Sequence, residues 1–195
     1  MDSPQLRALV AAARAGREGA FQEILALFGP RLMGYFQRAT GSYHDAEDLL
    51  GELAVRLLRR IGEYRDQGRF EPWLFRVAAN LVRDRIRRQK ARPRAVSLDQ
   101  EAGDGPSLGE TLAQDGPGVD SRLRQQEQAQ ALMAAIERLD ERSRQMVLLR
   151  HFGQLSFKEI AEIFQCPLGT VLAKVHRALK CLRHELEQAD EHISE

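Results

Sequence analysis

The chain has 195 residues, 43% of them apolar, and its 29 Lys+Arg and 28 Asp+Glu leave a formal net charge of +1. No apolar run approaches the ~20 residues needed to cross a bilayer, and the opening MDSPQLRALVAAARAG lacks the basic start and long apolar core of a signal peptide. Cys166 and Cys181 have no CxxC partners, which argues against a zinc site or a disulfide framework and for a reducing, cytoplasmic setting. The charge is unevenly spread. Residues 1–92 carry 17 basic and 11 acidic side chains, residues 93–124 carry 3 and 6, and residues 125–195 carry 9 and 11. A basic first part, an acidic middle and a near-balanced third part predict three functional segments.

Taken in order, Ser3-Pro4 is a helix start, because Ser caps unpaired N–H groups and Pro is tolerated in the first turn. Leu6, Leu9, Val10 and Ala13 follow as an apolar face. A second helix carries Phe21, Ile24, Leu25 and Phe28. Gly29-Pro30 is expected to interrupt it before Leu32, Met33, Tyr35 and Phe36 resume the pattern. All of these are core positions. Asp45 to Ile61 reads as a helix with Leu49, Leu50, Leu53, Leu57 and Ile61 buried, and with Asp48, Glu52 and Arg56 on the other side. Its acids lie toward the N-terminus and its arginines toward the C-terminus, which suits the helix dipole and permits a Glu52–Arg56 pair. That match also explains Glu47, Asp48 and Glu52 without a metal or acid–base site. Gly51 inside the helix costs on the order of 1 kcal/mol against Ala, so its backbone is expected to be closely approached.

The stretch Glu71 to Arg94 draws the most attention. Trp73, Leu74, Val77, Ala78 and Leu81 form its apolar face at the helical period, so Trp73 reads as core. Arg76, Asn80, Arg83 and Arg87 line up opposite. A helix that buries one side and presents Arg and Asn on the other suits nucleic acid: Arg brings charge and a bidentate fork, Asn a donor and acceptor pair for base edges. The plainer alternative is a solvated charged face. The loop before it, Gly62 to Phe70, holds Tyr64, Arg65 and Arg69, the side-chain types that stack on and hydrogen-bond a single-stranded base.

From Pro93 to about Val119 the sequence turns to Gly, Pro, Ser, Asp and Gln and loses any period, which reads as a flexible acidic linker. Leu132, Ala135, Ile136 and Leu139 then form a helix. Asp140 caps another, ending at Gly153, and Ser156-Phe-Lys-Glu159 is a capping box. After the turn at Cys166–Gly169 a last helix starts at Thr170, with Val171, Val175, Ala178, Leu179, Leu182 and Leu186 on its packed face. Thr170, Lys174, Arg177 and Lys180 lie opposite, with no acid from Thr170 to Arg183. Two helices joined by so short a turn make a helix-turn-helix, whose second helix reads the major groove. The expected fold is therefore all-α: two small helical domains, 1–92 and 125–195, joined by the linker 93–124.

The segments DAEDLLGEL, FEPWLFRVAANLVRDRIRR and LSFKEIAEIFQCPLGTVLAKVHRALKCLR resemble regions 2 and 4 of extracytoplasmic-function (ECF) sigma factors of bacterial RNA polymerase. The resemblance covers nearly the whole chain outside the linker. It implies promoter-specific initiation with no catalysis, cofactor or metal of its own. It implies core polymerase as partner, through the β′ coiled coil and the β flap, together with promoter DNA and an anti-sigma protein, and no insertion into a membrane. By position it assigns Asp48, Glu52 and Arg56 to the polymerase contact. Tyr64, Arg65, Arg69, Arg76, Asn80, Arg83 and Arg87 fall to the −10 element, and Thr170, Lys174, Arg177 and Lys180 to the −35 element. The linker corresponds to the segment that threads toward the RNA path. Gly51, Leu172, Ala173 and Leu179 depart from the family's usual residues, which implies altered polymerase and −35 contacts. The rival reading is a free-standing helix-turn-helix regulator that does not engage polymerase.

Overall fold

The computed structural model describes residues 3–65, 68–91 and 119–193, with side chains in the last range from 128 to 188. Of the expected linker, 93–118 lies outside the described residues, whereas 119–124 is the start of a helix, so the linker ends earlier than its composition predicts. Eight α-helices are present among them, with no strand: α1 Pro4–Arg14, α2 Ala20–Thr40, α3 Tyr43–Arg60, α4 Phe70–Ala91, α5 Val119–Arg138, α6 Glu141–Phe152, α7 Phe157–Phe164 and α8 Leu168–Ile193. A short 3-10 turn, Ile61–Glu63, follows α3.

Local chemistry sets most of the helix starts. The Ser3 hydroxyl accepts from the Leu6 N–H, and that of Ser42 from the Asp45 N–H. The Asp140 carboxylate accepts from the Ser143 N–H. Ser156 and Glu159 form the complete capping box, each side chain taking the other's backbone N–H. Gly41 closes α2 at φ 72°, a left-handed angle that Gly adopts without strain.

The expected break at Gly29-Pro30 does not occur: α2 runs unbroken through Pro30. Proline removes one helical N–H and crowds the carbonyl four residues back. Here that cost falls on the exposed side of the helix. On the other side Ile24, Phe28, Leu32, Tyr35 and Phe36 are all at most 3% exposed, and their burial holds one helix together.

The first group of helices encloses a core that includes Leu49, Leu53, Leu57, Phe70, Leu74, Phe75 and Leu81. In the second group, α5 and α8 share Ala135, Ile136, Leu139, Ala178 and Leu182. The two groups are not separate bodies. Met146, Leu148, Leu149, Leu155, Ile160 and Phe164 join the same apolar cluster as the first group.

Three packing expectations need correction. Leu179 is 52% exposed, because at about 100° per residue it falls on the flank of the stripe formed by Val171, Val175, Ala178 and Leu182. Leu132, on the same side of α5 as Ala135, Ile136 and Leu139, is exposed as well. Gly51 has open space where a side chain would begin, with no atom within 4 Å. Nothing in the described chain requires glycine there. Gly51→Ala is therefore expected to stabilise the protein by about 0.5–1 kcal/mol, read as a higher urea midpoint at unchanged m-value.

Candidate nucleic-acid interface

The basic side of α4 is where the sequence places it, but it is engaged. Arg76 and Asn80 are exposed, Arg83 is half-buried, and Arg87 is exposed and paired with Asp84 at 3.2 Å. Arg76 lies 3.4 Å from Glu162 of α7. Arg83 donates to the Ile163 carbonyl at the end of α7, with its guanidinium 5.9 Å from the centre of the Phe164 ring. Arg69, just before α4, pairs with Glu159. Three of the residues assigned to −10 DNA thus meet one short helix from the other half of the chain.

The loop ahead of α4 is less open than its composition implies. Tyr64 is 8% exposed, with its ring 5.4 Å from Phe70 and 4.9 Å from Trp73. Tyr64 as a stacking platform must therefore first leave this cluster. The cause is the apolar edge formed by Phe70 and half-buried Trp73, which the tyrosine ring covers. Arg65 is exposed. Trp73 packs against the core, as its place on the helix predicts.

On α3 the Glu52–Arg56 pair forms at 2.7 Å. The acids of this helix also face α4. Asp45 and Asp48 both pair with Arg85, and Glu52 lies 3.7 Å from Arg88. Gln89 donates to Asp45 at 3.0 Å. The hydrogen bond from Arg85 to Asp45 outweighs partial burial and raises the arginine's already high pKa. Arg85, missed as a functional residue in the sequence, is thus the clasp that orients α4 on α3. Val55 and Leu58 are exposed on the outer side of α3, beside half-buried Arg56.

At the other end the helix-turn-helix is complete. Gln165 ends α7 in the left-handed region, and Cys166 and Pro167 turn the chain into α8. The helix starts at Leu168, ahead of the expected Thr170. Thr170, Arg177 and Lys180 are exposed along it. Lys174 instead turns inward, 3.4 Å from the Asp140 carboxylate that caps α6. For Asp140 burial acts to raise the pKa, but the Ser143 hydroxyl and N–H together with Lys174 outweigh it and hold the group below its ordinary value. Glu159 behaves the same way: burial is outweighed by the hydrogen bonds from Ser156 and Arg69, so it stays ionised. Among the described residues no cluster of His, Cys, Asp and Glu could hold a metal ion, and no helix is long and apolar enough to cross a membrane.

Two family models match the chain in the order of this architecture: Sigma-70 region 2 over residues 24–92 and Sigma-70 region 4 over residues 129–182. The chain belongs to the ECF sigma factors of RNA polymerase. It is 29% identical over 175 residues to the ECF RNA polymerase sigma factor SigW of Bacillus subtilis, covering 89% of this chain and 92% of that one. It is 27% identical over 179 residues to the ECF RNA polymerase sigma-E factor of Escherichia coli K12, covering 92% and 93%. Among solved structures its fold is similar to CnrH in complex with the cytosolic domain of CnrY, with TM-score 0.62 and 21% identity over 93% of this chain and 97% of that one. It is also similar to the Bartonella quintana sigma factor RpoE bound to the anti-sigma factor NepR, with TM-score 0.63 and 21% identity over 86% and 96%. The capping box, the short turn and α8 as far as Leu182 lie inside the match to region 4, and the Arg76–Asn80–Arg83 stripe lies inside the match to region 2.

Proposed function

We propose that this sigma factor recruits core polymerase through α3 and reads a two-part promoter with α4 and α8, performing no catalysis itself. The observation that carries the division of labour is exposure at matched motifs. Arg76 and Asn80 stand on the outer face of α4, and Thr170, Arg177 and Lys180 on that of α8. Asp48, Glu52 and Arg56 contact the polymerase β′ coiled coil, and the second helical group meets the β flap. Arg76, Asn80, Arg83 and Arg87 meet the −10 element. Tyr64, Arg65 and Arg69 hold an extruded base, whose unstacking costs a few kcal/mol that its capture must offset. Thr170, Arg177 and Lys180 enter the −35 major groove, joined by Lys174 once it leaves Asp140.

Residues 1–92 would form the −10 and polymerase-binding domain, the helical group that starts with α5 at Val119 the −35 domain, and the residues between them the linker. Leu172 and Leu179, both exposed on α8, offer no hydrogen bonds to base edges, so the −35 contact is weaker than one made by polar residues there. The neighbours solved with CnrY and NepR support an anti-sigma protein as a further partner, acting in the cytoplasm.

In vitro transcription with purified core polymerase on a library of genomic fragments tests the reading. Promoter-specific transcripts that require this protein are expected. Duplex binding at defined sites without polymerase, and no such transcript, would instead identify a free-standing regulator.

A further inference from the structure

Leu168, Leu172 and Leu179 are all exposed on α8. A single exposed leucine is ordinary on a protein surface. Leu168 and Leu172, however, are four residues apart and share one side of the helix's first two turns, at 45% and 44% exposure. In a helix-turn-helix it is the N-terminal end of the second helix that reaches base edges. The left-handed residue Gln165, at φ 49°, ends α7, and Cys166 and Pro167 lead directly into α8, so Leu168 opens that end. Ala173, the residue after Leu172, is exposed opposite the buried seam of Val171, Val175, Ala178 and Leu182. Its single methyl group lets the helix come close to whatever it meets.

The surroundings of this apolar end specify its occupant. Thr170, Arg177 and Lys180 are exposed along the same helix, and no acid occurs from Thr170 to Arg183. Such a surface suits a polyanion. The one apolar group that base pairs present in the major groove is the C5-methyl of thymine. We infer, on the −35 assignment of α8 given above, that Leu168 and Leu172 read thymine by van der Waals contact with its C5-methyl group. The −35 element is thereby selected through methyl contacts at positions where leucine offers no hydrogen bond. Leu179 lies about 10 Å further along the helix axis than Leu172, beyond the base-reading end, and takes no part. Arg177 and Lys180 hold the helix on the backbone, and their contribution falls as salt rises. Methyl contact carries no charge, so the preference for thymine persists at a salt concentration that weakens binding as a whole.

Replacing thymine by deoxyuridine removes the methyl group and leaves the hydrogen-bonding pattern of the base unchanged, so it isolates this contact. The experiment is in vitro transcription by the full chain with core polymerase, on promoter templates in which the −35 thymines of either strand are replaced one at a time. Transcription is expected to fall about fourfold for each methyl contacted, the change that corresponds to burying one carbon group. The double variant Leu168→Ala/Leu172→Ala should transcribe thymine and deoxyuridine templates equally. Both positions are exposed and alanine favours helix, so its thermal unfolding should match that of the wild type. The double variant Leu168→Met/Leu172→Met, which keeps apolar side chains of similar size, should retain the discrimination. Deoxyuridine in the −10 element should affect the wild type and the alanine variant alike. A wild type indifferent to every −35 substitution, an alanine variant that still discriminates, or a −35 element without thymine would overturn the inference while leaving the sigma-factor reading in place. Absence of any promoter-specific transcript would instead overturn that reading, and this inference with it.

Discussion

Leu81→Ala is expected to lower the free energy of unfolding by about 2–5 kcal/mol, whereas Asn80→Ala, one position earlier, should leave it within about 0.5 kcal/mol. The two residues are neighbours in sequence and opposites in environment. Leu81 is fully buried in the apolar cluster, and truncating it removes apolar contact and leaves a cavity that the surrounding helices cannot wholly close. Asn80 is exposed on the far side of the same helix turn. Urea midpoints of the two variants at equal m-value make the comparison. A similar loss for Asn80→Ala would mean that the polar side of α4 is structural, and the nucleic-acid reading of that side would fall with it.

The second large effect is in transcription. A side chain that makes a good bidentate contact to a base is worth roughly 1–3 kcal/mol of discrimination, so Asn80→Ala should reduce transcription from the cognate promoter by about five- to a hundred-fold. The loss should be specific to bases of the −10 element: changing one of them should no longer matter in the variant. Arg76→Ala should weaken promoter binding too, with a shallower dependence on salt if its partner is a phosphate. The measurement is single-round transcription on wild-type and −10-substituted templates. If Asn80→Ala kept full activity and full sensitivity to the −10 sequence, the assignment of α4 would be wrong.

Much of this architecture is local, and local features are legible in a sequence. The Ser3 cap, the Asp140 cap and the Ser156–Glu159 capping box each involve residues three apart, and all form as their spacing predicts. The apolar stripes of α3, α4 and α8 likewise follow from helical periodicity, which is why the core residues were readable. The errors arise where tertiary packing overrules a local rule. Pro30 is a helix breaker by itself, but the buried residues on both sides of it tie α2 into one rod. Leu179 belongs to an apolar set by type, yet it sits on the flank of the stripe that packing buries and stays exposed.

The pairing of Arg69 with Glu159 and of Arg76 with Glu162 could not be read at all. These partners are 90 and 86 residues apart, and no periodicity relates them. Charge blocks along the chain hinted only that the halves differ in sign. Tyr64 shows the same limit on a smaller scale: its loop is polar by composition, but the neighbouring rings of Phe70 and Trp73 draw the ring inward.

That small aromatic cluster has an optical consequence. Trp73 is the chain's one tryptophan, and its half-buried indole lies against the ring of Tyr64, within the loop assigned to base capture. Departure of Tyr64 would expose the indole to water and shift its emission to longer wavelength. The protein thus carries an unlabelled fluorophore beside the element that must rearrange, and stopped-flow emission can time that rearrangement against promoter melting in the native chain.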